Sequence, residues 1–127
     1  MRLAIPRLWS KPPVESRAAR RVRPAGPAPI EVQIMGRGSL DVLRVRDISV
    51  TGLGAYLPHR FEGCDVDAEV DLVLTLPGGR PFLTRGVIRH HTCSDEGDAH
   101  HFGIRFTGLS DSQRTLIERY IVRRVGE

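Results

Sequence analysis

Between Ile30 and Phe106, apolar residues recur at every second position in stretches bounded by turn formers. Ile30, Val32 and Ile34 alternate with Glu31 and Gln33, while Val70, Leu72, Leu74 and Leu76 alternate with Glu69, Asp71, Val73 and Thr75. A period of two turns one face of each stretch toward a core and the other toward water, the signature of half-buried strands. Leu40 to Arg46, Gly52 to Leu57, Phe82 to His91 and Phe102 to Phe106 complete a set of six predicted strands. Gly36-Arg37-Gly38-Ser39 and Pro77-Gly78-Gly79 read as turns, and Asp95 to Asp98 as a polar loop. The chain contains thirteen Gly and nine Pro, which favours short strands over long helices.

After Thr107 the period becomes helical. Ser110 and Gln113 have capping-box spacing, Asp111 falls in the first turn, and Arg119, Arg123 and Arg124 fall toward the end, each sign suited to the helix dipole. Leu116, Ile117, Tyr120 and Ile121 form the predicted apolar stripe. The expected fold is all-β: a small six-stranded antiparallel β-barrel with one C-terminal α-helix packed on it or over one end. At 127 residues the chain has length for one domain. The expected divisions are a flexible leader at 1–15, an arginine arm at 16–29, a barrel at 30–107 and a helix at 110–125.

Charge is unevenly placed. The first 24 residues carry six Arg and Lys11 against Glu15, whereas the remainder carries twelve Arg against fourteen acids. The body is therefore slightly acidic and the arm strongly basic, a candidate anion-binding element or a solvated tail. No apolar run approaches the roughly 20 residues of a membrane span. Pro6 interrupts what could otherwise resemble a signal-peptide core. Cys64 and Cys93 form no disulfide framework, so a cytoplasmic protein with reduced thiols is expected.

One short segment carries specific chemistry. Asp47-Ile-Ser-Val-Thr-Gly52 lies between the second and third predicted strands. Asp47 accepts hydrogen bonds, Ser49 donates and accepts, and Gly52 admits close approach of backbone or ligand. An ordinary Asx-type turn would use the same residues. Together with Arg17-Ala-Ala-Arg-Arg21 upstream, the segment resembles the PilZ domain family. That family is marked by an Arg-x-x-x-Arg arm before the first strand and an [Asp/Asn]-x-Ser-x-x-Gly segment after the second. The similarity runs from about Glu15 to Arg124 and includes Gly86-Val-Ile-Arg89 and Gly103-Ile-Arg-Phe106. Ser16 departs from it, standing where many members carry the first of two adjacent arginines, which bears on how many ligand molecules stack in the site.

The resemblance implies a receptor for cyclic diguanylate (cyclic di-GMP), with Arg17, Arg21, Asp47, Ser49 and Gly52 as ligand-binding residues. Arg20 stands one position off the arm motif. Arg-x-x-x-Arg also occurs at Arg85/Arg89 and Arg119/Arg123, so the arm motif alone says little. Hairpin geometry chooses among the three: the end of a second antiparallel strand lies beside the start of the first, which brings Arg21 to Asp47 at one rim of the barrel. Arginine meets phosphate or a guanine edge bidentately and stacks on bases, and a carboxylate accepts from guanine N–H groups. The expected mechanism is an arm that orders on the rim with ligand and signals to a downstream protein partner, in motility or exopolysaccharide control by family analogy.

Other readings fit less well. A nucleic-acid binder would need a stacking platform, and seven Phe, Tyr and Trp residues supply no exposed pair on the predicted strands. A long nucleic acid would also meet an acidic body. His90, His91, Cys93, His100 and His101 are numerous enough for zinc but match no common spacing, and adjacent histidines on a strand point to opposite faces. No Gly-x-Ser-x-Gly elbow is present, so catalysis is not expected. No cofactor beyond the ligand and no membrane insertion are expected. The chain is expected to be a monomer or a ligand-dependent dimer, and a PilZ-like module that binds only protein is the nearest alternative.

Overall fold

A computed structural model describes residues 20–36, 39–57, 65–93 and 99–126. Among the described residues there are six strands: β1 (Glu31–Gly36), β2 (Ser39–Ile48), β3 (Gly52–Leu57), β4 (Glu69–Thr75), β5 (Phe82–Cys93) and β6 (His100–Phe106). One helix, α1 (Asp111–Gly126), follows them. The strands form a closed barrel in the order β1-β2-β3-β6-β5-β4, with every neighbouring pair antiparallel. Closure comes from β1, which pairs with both β2 and β4 and leaves no free edge.

The period-two pattern explains the barrel wall. Val32 and Ile34 are buried while Glu31 and Gln33 are exposed. Val70, Leu72 and Leu74 repeat the pattern on β4. Ile48, Leu53, Leu57, Ile88 and the helix residue Ile117 join them in one apolar core. The helix closes a reciprocal capping box: the Gln113 N–H donates to Ser110 Oγ at 3.2 Å, and the Ser110 N–H donates to Gln113 Oε1 at 3.0 Å. Gln113 Nε2 also donates to the Leu83 carbonyl, fixing the start of α1 to β5. Ile117, Tyr120 and Ile121 are buried, whereas Leu116, expected in the same stripe, is 45% exposed. Positions 117, 120 and 121 share a face at i, i+3 and i+4; position 116 lies just past the edge of that face, about 40° beyond 120 and about 100° from 117.

Two strands run beyond their predicted ends, and each contains a β-bulge. β2 continues to Ile48, with a register shift between Val45 and Asp47. β5 continues to Cys93, with a shift between Ile88 and His90. Asp47 therefore lies within β2 and not in the connection that follows it. The inserted residue lets Val45 and Ile48 both face the core while Asp47 stays on the outer surface. The leader, Ser16, Arg17, Cys64 and the Asp95–Asp98 loop lie outside the described residues.

Candidate functional site

The site is assembled where the arm meets the end of β2. Pro24, Gly26, Pro27 and Pro29 keep residues 20–30 out of regular structure, as their composition requires, apart from isolated bridges. One bridge is decisive for position. Val22 N–H donates to the Ile48 carbonyl at 3.0 Å and Ile48 N–H to the Val22 carbonyl at 2.9 Å. From the far side, Arg124 Nε donates to the Arg23 carbonyl at 2.7 Å. The arm is thus held by both the barrel and the helix.

From this position Arg21 Nη1 donates to Asp47 Oδ1 at 2.8 Å. Arg46 Nε lies 3.9 Å from Asp47 Oδ2. Asp47 is consequently a carboxylate with a guanidinium near each oxygen, on a surface that keeps half of Arg21 exposed. The predicted meeting of Arg21 and Asp47 is found. The competing pairs are placed differently: Arg85 bonds Glu69 and Asp71, Arg89 faces Asp67, and Arg119 and Arg123 lie on the helix.

Ser49 and Gly52 shape the turn after β2. The Ser49 side chain has no exposed surface. Its N–H donates to the Gly52 carbonyl at 2.8 Å, and its hydroxyl accepts from the Thr51 N–H at 3.1 Å and lies 2.9 Å from Thr51 Oγ1. A Cβ on Gly52 would collide with the Ile104 carbonyl oxygen, so only glycine lets β3 approach β6 this closely. The turn in turn fixes the strands that carry Asp47 and its neighbours.

Those neighbours form a row that sequence reasoning missed. Asp47 is the register partner of Gly54, Gly54 of Gly103, and Gly103 of His90. The row crosses four strands, with a bulge at each end and two glycines in the middle that are buried beneath neighbouring side chains. A Cβ at Gly54 would meet Asp47 Oδ1 at 3.0 Å and His101 Nε2 at 3.1 Å. One at Gly103 would land on the His90 ring. Tyr56 completes the surface, 5.3 Å from His101 between ring centroids. A count of Phe, Tyr and Trp alone misses this ring cluster, whose members are tilted to one another, by 54° for Tyr56–His101 and 36° for His90–His101. Gly54 and Gly103 were the available signal: glycines on two adjacent strands let the Asp47, His101 and His90 side chains lie close over the backbone.

His101 is held below the ordinary histidine pKa, first by burial and then by the positive charge of Arg46; Asp47 pulls the other way. A neutral imidazole is the favoured form near neutral pH. Among the described residues, no group of three or more His, Cys, Asp and Glu side chains is arranged to hold a metal ion. No helix there is long and apolar enough to cross a membrane.

A family model described as "PilZ domain" matches residues 15–123. The chain belongs to the PilZ domain family. No curated protein sequence matches the chain. Several solved PilZ structures share its fold. The PilZ domain with c-di-GMP of YcgR from Escherichia coli superposes with a TM-score of 0.62 at 15% identity, covering 84% of this chain and 88% of that one. The K. pneumonia MrkH–c-di-GMP complex gives 0.71 at 17% identity, covering 83% and 49%. The Bacillus subtilis inhibitor of motility (MotI/DgrA) gives 0.69 at 18%, covering 82% and 48%. This PilZ domain spans about half the length of MrkH and MotI.

Proposed function

We propose that this PilZ domain is a cyclic di-GMP receptor without catalytic activity of its own. The observation that carries the reading is the contact between Arg21, on the arm, and Asp47, on the β2 bulge. It joins the two halves of the family's motif on one open surface. Relatives whose structures are described with c-di-GMP share the fold, which adds support. Arg21 offers phosphate or guanine a planar fork, and Asp47 offers guanine N–H groups an acceptor. Ser49 and Gly52 serve by holding the turn that presents Asp47. Arg17 lies outside the described residues and is proposed as the second arginine of the clamp. Each charge-assisted contact contributes about 1.5–3 kcal/mol, and micromolar binding needs about 8 kcal/mol net of association costs.

Signalling is proposed to proceed by ordering of the arm. The Val22–Ile48 bridge ties the arm to the barrel at Val22, and the proposed ordering concerns the segment that carries Arg17. Closing them over the ligand would create a new surface for a downstream protein partner in the cytoplasm. Hydrogen exchange tests this: protection of residues 10–19 rises on adding cyclic di-GMP, and equal protection with and without ligand would contradict it.

A further inference from the structure

Beside the Arg21–Asp47 pair lies a group of rings that the family motifs do not include. Tyr56 on β3 and His101 on β6 are register partners. His90, across on β5, has its ring centroid 5.8 Å from that of His101. His90 and His101 cover the Gly54–Gly103 pair, which is buried beneath them and Asp47, and Tyr56 flanks His101. Asp47 Oδ1 and His101 Nε2 both border the space above Gly54, since a Cβ there would meet each of them. His101 Nε2 is buried and has no hydrogen-bond partner among the described residues. A buried polar nitrogen without a partner, next to an acceptor carboxylate and a glycine pair covered by side chains, describes a place where a planar polar group gains a partner by displacing the His90 ring.

We propose that His101, flanked by Tyr56 and His90, is the base-reading element of the site: one guanine lies over the Gly54–Gly103 floor and hydrogen-bonds to His101 Nε2. The inference rests on the receptor reading above and assigns it residues outside both motifs. A neutral imidazole with its proton on Nδ1 presents Nε2 as an acceptor, which suits a guanine N1–H or N2–H. Adenine has no N1–H, so His101 and Asp47 together favour guanine. His90 covers Gly103, so the guanine reaches the floor by displacing that exposed ring, which then stacks on the base. The groups facing His101 are Arg21, Arg46, Asp47, His90 and Tyr56, and of these Asp47 alone favours its protonation. Protonation would remove the acceptor and weaken guanine binding.

The test is calorimetric titration of the wild type, His101→Phe and His90→Ala with cyclic di-GMP and cyclic di-AMP. Thermal melts check that each variant folds. The phenyl ring keeps the stacking surface and deletes the nitrogen. His101→Phe is expected to lose about tenfold in affinity for cyclic di-GMP and to narrow the preference over cyclic di-AMP. His90→Ala, which bares the floor without touching the nitrogen, should keep that preference. Wild-type affinity for cyclic di-GMP should fall as pH drops below the ordinary histidine range, and that of His101→Phe should fall less. Wild-type binding with affinity and preference unchanged in His101→Phe would overturn the base-reading role alone. Failure of the wild type to bind would overturn the receptor reading, and this inference with it.

Discussion

Arg21 and Asp47, 26 residues apart in sequence, meet through a 2.8 Å bond between Nη1 and Oδ1. The adjacent residues, Val22 and Ile48, exchange two backbone hydrogen bonds, so the contact does not depend on the side chains finding each other unaided. With Arg21 half exposed, the ion pair itself is worth at most about 1 kcal/mol of stability. Arg21→Ala should therefore lower the urea midpoint only slightly. A large loss would mean that the pair is a structural clamp.

Gly52 and Gly54 should separate folding from binding. A Cβ at position 52 meets the Ile104 carbonyl oxygen, which backbone pairing holds in place, so Gly52→Ala should destabilise the barrel by about 1–3 kcal/mol. A Cβ at position 54 meets the side chains of Asp47 and His101, which can give. Gly54→Ala should fold with a smaller loss and weaken ligand binding. Urea denaturation and titration of both variants check the contrast.

The Ser110–Gln113 capping box predicts a conventional helix effect. Ser110→Ala removes the acceptor for the Gln113 N–H and should cost about 1 kcal/mol, lowering Tm by several degrees without altering the ligand site.

His101 gives stability a pH dependence of known sign. Its folded-state pKa lies below the ordinary histidine value, so the unfolded chain binds the proton more readily. The contribution is fully present above the unfolded pKa of about 6.5 and is lost as pH falls through the lower, folded value. His101→Gln should flatten the decline in urea midpoint between about pH 7.5 and about pH 5. A wild-type profile no steeper than that of the variant would contradict this.

Much of the architecture was legible because it follows from local chemistry. The alternation at Val32 and Ile34, and at Val70, Leu72 and Leu74, reports which face is buried. The Ser110–Gln113 spacing marks the helix start, and the hairpin rule brings Arg21 to Asp47. The bulges were not legible. One inserted residue, Arg46 or Arg89, changes register without changing composition, so Asp47 was placed after β2 and not within it. The Asp47–Gly54–Gly103–His90 row depends on three registers, two of which contain a bulge, and no spacing within the chain reveals it. The burial of Ser49 was hidden for a related reason: a turn serine reads the same whether its hydroxyl faces ligand or its own backbone.

The central claim is that the arm and the β2 bulge form one cyclic di-GMP site. Calorimetric titration of wild type, Arg21→Ala, Asp47→Ala and Arg119→Ala tests it most directly. The expected result is binding by the wild type and Arg119→Ala, with most of the affinity lost in Arg21→Ala and Asp47→Ala. Binding by all four proteins, or by none, would contradict the account.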